Sequence, residues 1–182
     1  ARQLFGSTVG IIGFGRIGKQ VAKRLIGFDT RTIYTDLVEI PSDIEKELKV
    51  TRFSLNELLR KSDFVTLHVP LTDITHHLMD ADALADMKEG ATLINCARGP
   101  VVSEVALIKA LQSGHIGGAG LDVFEVEPPA FPNPFSDFPN VVLTPHHAPG
   151  TRDTMIIKFK EIFSNADRFF NGERMENEIS LI

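Results

Sequence analysis

Short apolar runs alternate along the chain with segments whose apolar residues recur at helical spacing. The short runs predict strands and the spaced segments predict helices. The predicted strands are residues 8–13, 31–36, 50–53, 63–69, 91–96, 118–123 and 140–144. The predicted helices are residues 16–28, 54–61, 80–87, 103–113 and 151–171. Alternation of this kind predicts the α/β class, a doubly wound parallel sheet with helices on both faces.

Three features of the pattern predict how these elements are buried. The continuous apolar runs at 64–67 and 141–143 are typical of strands that are covered on both faces. Five prolines between Pro128 and Pro139 predict a loop, because they cannot sit in a helix or a central strand. The last helix is predicted to face the core, because its apolar residues form one stripe. That stripe contains Ile156, Phe159, Ile162 or Phe163, Ala166 and Phe169.

A glycine motif follows the first predicted strand. It reads Gly13-Phe14-Gly15-Arg16-Ile17-Gly18 and opens the first predicted helix. The second strand ends at Asp36, 18 residues after Gly18. Strand, glycines, helix, strand and acid in this order form the fingerprint of a dinucleotide-binding, Rossmann-type fold.

Each part of the motif has a physical role in binding a dinucleotide. Gly13 permits the tight turn, Gly15 lets the backbone approach a pyrophosphate, and Gly18 lets the helix pack against the sheet. The N-terminus of the helix, at Arg16 and Ile17, stabilises the phosphate charge.

Asp36 bears on the choice of cofactor. Its carboxylate can accept hydrogen bonds from the ribose hydroxyls and would repel a 2′-phosphate. No basic residue stands among Leu37, Val38 and Glu39, so the sequence favours NAD over NADP. Arg31 lies at the other end of the same strand and is interpreted as a solvated charge.

The ends of the other strands extend the candidate site. Ligands of such sheets bind outside the carboxyl ends of the strands. Side chains that can carry a charge or transfer a proton recur at these ends, namely Asp36, Arg98, Asp122 and His146. Glu127 lies in the loop beyond one strand end.

Composition narrows the class of protein. A length of 182 residues predicts one domain. The net charge of −5, with no basic run, argues against nucleic acid as a binding partner. No apolar run is long enough to predict a membrane span.

Cysteine and histidine positions narrow the class further. One cysteine, Cys96, excludes an internal disulfide and fits a reducing, cytoplasmic compartment. The pairs His76-His77 and His146-His147 lack metal-ligand spacing, so no metal site is expected.

Five segments in this order resemble the NAD-binding domain of the D-isomer-specific 2-hydroxyacid dehydrogenase family. The segments are 9–18, His68-Val69-Pro70-Leu71-Thr72, 94–99, 120–128 and 140–146. The resemblance covers nearly the whole chain. It implies reversible oxidation of a 2-hydroxy acid to a 2-oxo acid with NAD as cofactor.

The resemblance also implies roles for individual residues. Arg98 corresponds to the substrate-binding arginine, whose planar fork can bind a carboxylate. His146 corresponds to the general acid and base, and Glu127 to its carboxylate partner. Asp122 corresponds to a residue at the nicotinamide end of the cofactor. The further cofactor-contacting positions are Val69, Pro70, Cys96, Ala97, Arg98 and His146, and Cys96 is interpreted as a packing residue rather than a nucleophile.

Some positions depart from the family pattern. Ser103 stands where members often have Asp, and His147 and Pro149 alter the loop after His146. His147 could compete with His146 as the base, although the Thr-Pro-His pattern favours His146.

Members of the family also carry a second, substrate-binding domain, mainly from preceding sequence, and commonly form homodimers. We therefore expect this chain, which starts at Ala1, to be one domain of a longer protein, although removal of an initiator Met would explain that start equally simply.

Two other functions are compatible with parts of the pattern. An NAD-sensing module, like the corepressor relatives of this family, would keep the same Arg, Glu and His. A short-chain reductase would need a Tyr-x-x-x-Lys pair, but the only tyrosine is Tyr34, inside a strand. The substrate stays open among phosphoglycerate, glycerate, hydroxypyruvate and lactate types.

Overall fold

The computed structural model describes residues 3–148 and 150–178. The chain divides into two compact units, Ala1–His146 and His147–Ile182. The first unit contains a seven-stranded parallel sheet, and the second contains one long helix.

The sheet has the strand order β3-β2-β1-β4-β5-β6-β7. Its strands are β1 Thr8–Ile12, β2 Arg31–Thr35, β3 Val50–Arg52, β4 Phe64–Leu67, β5 Ala91–Asn95, β6 Ile116–Leu121 and β7 Val141–Leu143. The helices are α1 Arg16–Leu25, α2 Ser42–Leu48, α3 Leu55–Lys61, α4 Ala81–Asp86, α5 Glu104–Gln112 and α6 Arg152–Phe170. Short 3₁₀ turns cover Ile26–Phe28 and Gly99–Val101.

The order of the strands reverses between β1 and β4. The chain moves outward from β1 to β2 and β3, then returns to pair β4 on the other side of β1. In open parallel sheets, this switch point opens a crevice at the carboxyl ends of the strands. The glycine turn that follows β1 lies at that crevice.

The core consists of two buried clusters, one on each face of the sheet. Ile11 belongs to one cluster and Ile12 to the other, because successive strand residues point to opposite faces. One cluster includes residues of α1 and α2, and the other includes residues of α3, α4 and α5. The predicted fold class, with helices on both faces, is confirmed.

Helix α2 was not among the predicted elements. Its seven residues carry three acids and only two apolar side chains, Ile44 and Leu48, so the apolar stripe is too short to show a period. Leu48 is nevertheless buried, and Tyr34 donates a hydrogen bond to Glu45 of this helix at 2.8 Å. Packing against β2 therefore stabilises a helix that the hydrophobic pattern did not predict.

The prediction of strands covered on both faces holds for β4 and is wrong for β7. Val65 and Leu67 in β4 are fully buried, whereas the side chain of Val142 in β7 is 67% exposed. Strand β7 is the edge strand next to β6, so it has a neighbour on one side only. The predicted loop at 128–139 contains no helix or strand.

The prediction that the last helix faces the core is wrong. None of the described residues of α6 is buried, and Phe159, Ile162 and Phe163 are at least half exposed. A helix buries an apolar stripe only against another element. The unit His147–Ile182 contains no second helix or strand among its described residues, and only the turn around Glu176 folds back onto the helix, at Asn165 and Arg168.

Candidate active site

The glycine turn after β1 leaves no room for side chains at two positions. Gly13 has φ +90°, and a Cβ there would lie 2.6 Å from the carbonyl oxygen of His68. A Cβ at Gly18 would lie 2.2 Å from the carbonyl oxygen of Gly13, so α1 contacts the turn directly. At Gly15, by contrast, no atom beyond the residue itself and its two chain neighbours lies within 4 Å of a built Cβ. The open side of this turn is therefore the side from which a ligand can approach the backbone.

The start of α1 is suited to an anion. Its N-cap is Gly15, which has no side chain to accept the first N–H groups of the helix, and the first turn has no acid. Arg16 and Ile17 are exposed there. Because uncapped N–H groups and the helix dipole both favour negative charge, the pyrophosphate of a dinucleotide fits this position.

Asp36 lies just beyond β2 and reaches the glycine turn. Its Oδ2 accepts a hydrogen bond from the backbone N–H of Phe14 at 2.5 Å, and its Oδ1 accepts one from Val38 at 2.9 Å. Each carboxylate oxygen keeps acceptor capacity for a ribose hydroxyl. The acid predicted for ribose binding therefore also fixes the shape of the turn.

Arg52 is a neighbour of Asp36 that sequence reasoning missed. It ends β3, and its guanidinium donates to the backbone carbonyl oxygen of Asp36 at 2.8 Å and to Glu39 at 2.5 Å. A free arginine here would accommodate a 2′-phosphate, but this one is bound to a carboxylate. The signal that could have found it is the pairing of β2 with β3, which brings residue 52 beside residue 34.

Tyr34 is unsuitable as an acid or base for chemistry. Its side chain is fully buried, and burial followed by the hydrogen bond to Glu45 raises its pKa to about 12. This agrees with rejecting a short-chain reductase.

The turn after β5 presents Arg98. Buried Asn95 holds this turn, since its Oδ1 accepts from the backbone of Ala97 and its Nδ2 donates to the carbonyl oxygen of Arg98, both at 3.0 Å. Arg98 is exposed. Cys96 is exposed in this turn, so the packing role predicted for it is not supported among the described residues. Partial burial, and then the charge of Asp122, raise the pKa of its thiol, which reduces the thiolate form that a nucleophile would need.

The ends of β6 and β7 meet at Asp122. This carboxylate is 4% exposed, and its Oδ1 accepts a hydrogen bond from the hydroxyl of Thr144 at 2.5 Å. Thr144 stands directly before Pro145 and His146 in the quoted motif, and its contact with Asp122 was not predicted. The bond ties the end of β7 to the end of β6.

Glu127 and His146, which the sequence predicts as an acid–base pair, lie within hydrogen-bond distance of each other. Glu127 Oε2 lies 2.7 Å from His146 Nδ1, and Glu127 Oε1 accepts from the backbone of Phe124 at 3.0 Å. The hydrogen bond with His146 is the main cause that lowers the pKa of Glu127, and the charge of Arg98 acts in the same direction, while burial opposes both. The carboxylate is thus ionised at neutral pH and faces the imidazole.

The backbone of His146 is strained. Its φ is +51°, a left-handed conformation that costs a non-glycine residue roughly 1–2 kcal/mol. Strain of this kind persists where the surroundings fix it, and it is concentrated at functional sites. Next to the pair lies a cavity of about 340 Å³ with mainly apolar walls. Its lining comprises Phe124, Glu127, Pro128, Pro129, Asn133, Leu143, Thr144, Pro145 and His146.

The remaining predicted positions are placed as follows. Val69 and exposed Pro70 follow β4, and Val69 Cγ1 lies 2.8 Å from the built Cβ of Gly13.

Ser103, which departs from the family pattern, is the N-cap of α5. Its side chain accepts a hydrogen bond from the backbone N–H of Ala106 at 3.4 Å, a capping role that an Asp would serve equally. His147 packs against Gly150, and Pro149 lies outside the described residues.

Among residues 3–148 and 150–178, no three potential metal ligands converge, and His76 and His77 stack on each other with ring centroids 4.1 Å apart. Within the same described ranges, no helix is both long and apolar enough to cross a bilayer.

Comparison with known proteins identifies the family. Residues 1–148 match the model of the D-isomer specific 2-hydroxyacid dehydrogenase, NAD binding domain. The chain belongs to this family. The match confirms the predicted resemblance and NAD as the cofactor.

Relatives of this family give the extent of the similarity. The chain is 45% identical over 177 residues to a glyoxylate reductase from Korarchaeum cryptofilum, covering 97% of the chain and 53% of that protein. It is 39% identical over 180 residues to D-3-phosphoglycerate dehydrogenase from Methanocaldococcus jannaschii, covering 98% of the chain and 34% of that protein. It superposes, with a TM-score of 0.86 and 36% identity, on D-lactate dehydrogenase from Aquifex aeolicus complexed with NAD and lactic acid, covering 95% of the chain and 56% of that structure. The chain thus spans about a third to a half of the length of these proteins.

Replacing Asp36 tests its role in cofactor choice. Asp36→Ala should weaken NAD binding roughly 10- to 100-fold, because one or two hydrogen bonds to a charged group are lost. The affinity for NADP should fall less, so the preference for NAD narrows. Isothermal titration with both cofactors measures the two affinities.

Two variants control this experiment. Asp36→Asn keeps an acceptor for the N–H of Phe14, and Asp43→Ala removes an exposed acid from the first turn of α2. If the unmutated chain binds NADP as tightly as NAD, the interpretation of Asp36 is wrong.

Proposed function

We propose that this chain is the NAD-binding part of a dehydrogenase that interconverts a D-2-hydroxy acid and a 2-oxo acid. The observation that carries the proposal is the 2.7 Å hydrogen bond between His146 and Glu127. Both residues follow the carboxyl ends of strands, at the same edge of the sheet as the glycine turn. A carboxylate-oriented imidazole at the carboxyl ends of parallel strands supplies the proton transfer that this reaction requires.

His146 is the proton carrier in this proposal. Glu127 engages Nδ1 and thereby assigns Nε2 to the substrate oxygen. In reduction, the imidazolium donates its proton to the 2-oxo oxygen, and in oxidation the neutral ring accepts the hydroxyl proton. NAD(H), when bound, supplies or accepts the hydride.

Arg98 is the substrate-binding residue in this proposal. Its exposed guanidinium lies close enough to Glu127 to lower the pKa of that carboxyl, so it belongs to the same electrostatic environment. Its planar donors can bind the substrate carboxylate in bidentate fashion and fix the orientation of the 2-oxo carbon. The cofactor would contact the glycine turn, Asp36, Asp122 and the strand-end residues predicted from the sequence.

A second domain would complete the site. The chain spans 53% of the similar glyoxylate reductase, and the cavity beside His146 is open to solvent. We infer that the remaining sequence of the full-length enzyme supplies the wall that selects the substrate. Glyoxylate is the first substrate to test, because the relative at 45% identity is named for it. A homodimer and a cytoplasmic location stay predictions, which light scattering and fractionation test.

The pH dependence of the full-length enzyme tests the acid–base pair. Reduction consumes the proton on His146, so kcat/KM should fall at high pH, and we call this part of the profile the histidine limb. Glu127→Gln removes the carboxylate charge that faces His146 Nδ1, so this fall in kcat/KM should begin at lower pH. Ionised Glu127 stabilises the pair through its contact with His146. Because the pKa of Glu127 is lowered from the ordinary carboxyl value of 4.5, this stabilisation is fully present above pH 4.5. It is lost only as the pH falls through the lowered pKa of Glu127. The measurement is kcat/KM for glyoxylate across pH.

Glu47→Gln, at an exposed position in α2, is the matched control and should leave the profile in place. An unchanged histidine limb in Glu127→Gln would remove Glu127 from the mechanism.

A further inference from the structure

Two loops of the proposed site contact each other through their backbones. The loop after β5 carries Arg98 and Gly99, and the loop after β6 carries Phe124 and Glu127. A Cβ built at Gly99 would lie 1.8 Å from the carbonyl oxygen of Phe124. Any side chain at residue 99 would therefore push the two loops apart.

Two glutamates lock this contact with reciprocal hydrogen bonds. The backbone N–H of Glu104 donates to Glu125 Oε1, and the backbone N–H of Glu125 donates to Glu104 Oε1, each at 2.8 Å. We call this pair the Glu104–Glu125 bridge. Each residue is both donor and acceptor, so the bridge fixes the distance between the two loops and the position of one loop along the other.

The peptide unit between Phe124 and Glu125 is held at both of its polar ends. Its oxygen faces Gly99, and its N–H is bound by Glu104. The preceding N–H, that of Phe124, donates to Glu127 Oε1. A shift of this peptide would therefore move the partner that orients Glu127 toward His146.

The bridge places two carboxylates of like charge side by side. Burial, and then the charge of Glu125, raise the pKa of Glu104, while the backbone N–H of Glu125 lowers it. His77 Nε2 lies 3.2 Å from Glu125 Oε1, within reach of a hydrogen bond to that carboxylate. The N–H groups at the start of α5, where Glu104 is the first residue, also favour negative charge.

The loop that carries Arg98 is also held from its other side. The backbone N–H of His77 donates to the carbonyl oxygen of Pro100 at 2.8 Å, and that of Met79 donates to Val101 at 3.0 Å. The bridge and the segment 77–79 thus hold this loop between them.

We infer that Glu104 and Glu125 are positioning residues, which set the Arg98 loop against the Glu127 loop so that Arg98 binds the substrate carboxylate while His146 transfers its proton to the 2-oxo oxygen of the same molecule. This inference rests on the proposed function. The glycine turn and Asp36 follow β1 and β2, whereas the bridge joins loops after β5 and β6. Loss of the bridge should therefore impair the reaction much more than cofactor binding, because the glycine turn and Asp36 lie outside the bridged loops.

The test compares Glu104→Ala with Glu104→Gln. Alanine removes the acceptor for the N–H of Glu125, whereas the amide oxygen of glutamine can replace it without the second charge. In the 182-residue chain, carboxyl carbon NMR should show the pKa of Glu127 low in the unmutated protein and in Glu104→Gln. In Glu104→Ala it should rise toward the ordinary 4.5.

Kinetics of the full-length enzyme with glyoxylate give the second readout. Glu104→Ala should lower kcat/KM about 10- to 100-fold with a much smaller change in NADH affinity, and Glu104→Gln should restore kcat/KM, since misplacement of reacting groups by about 1 Å has effects of this size. Glu47→Ala is the control for loss of an exposed glutamate. Glu125→Ala repeats the comparison if Glu104→Ala does not fold.

A Glu127 titration that is the same in all variants overturns the inference, whatever the activity. A shifted Glu127 titration supports the coupling of the loops even if the unmutated enzyme fails to turn over, in which case the proposed function is wrong. Equal losses of kcat/KM in Glu104→Ala and Glu104→Gln would contradict positioning by the hydrogen bond.

Discussion

His146→Ala should lower kcat of the full-length enzyme about 10²- to 10⁴-fold, because a positioned general acid contributes by that factor in the transition state. The affinity for NAD should change little, since the glycine turn and Asp36 carry most of the proposed cofactor contacts. A loss in kcat with unchanged cofactor affinity is the signature of an interaction made in the transition state. Steady-state kinetics with glyoxylate, together with NADH titration, measure both quantities.

His147→Ala is the matched control for this experiment. The geometry favours His146 because Glu127 engages its Nδ1 at 2.7 Å. His147→Ala should therefore retain activity. If His147→Ala loses as much turnover as His146→Ala, the assignment of the proton carrier is reversed or shared.

The isolated 182-residue chain should fold and bind NAD, yet reduce 2-oxo acids at least about 10³-fold more slowly than the full-length enzyme. Folding should persist because the seven-stranded sheet of residues 1–146 has a buried cluster on each face. Catalysis should fail because substrate must be held in near-attack geometry, which is worth a large part of the barrier. The described cavity beside His146 has mainly apolar walls and is open to solvent, and in the proposed function a substrate-binding domain closes it.

Calorimetry and NADH absorbance on the same sample separate these outcomes. Binding without turnover is the expected result. Turnover at a rate comparable to the full-length enzyme would show that the second domain is dispensable, and loss of both binding and folding would contradict the assignment of a self-sufficient core.

The sequence predicted much of the sheet because its periodicity is strong. Parallel strands bring their carboxyl ends to one edge of the sheet. Arg98, Asp122 and His146 could therefore be assigned to the same edge before any distance between them was known. Helix α2 was missed because its stability comes from packing against β2 rather than from a stripe of its own. The exposed stripe of α6 was misread, since periodicity shows that a face is apolar and not what covers it.

Contacts between loops could not be predicted from the sequence. Arg52 reaches Glu39 and Asp36 only because β3 pairs with β2, and Thr144 reaches Asp122 only because β7 pairs with β6. The Glu104–Glu125 bridge depends on the backbone contact at Gly99, which no pattern of apolar positions specifies.

NADH consumption by the full-length enzyme with glyoxylate, pyruvate, hydroxypyruvate and phosphohydroxypyruvate most directly tests whether this site reduces 2-oxo acids. The proposed function predicts saturable oxidation of NADH with at least one of them. It also predicts a product of D configuration wherever the product is chiral, and loss of the reaction in His146→Ala. Tight binding of NADH with no turnover of any of these acids would contradict it and would favour an NAD-sensing module.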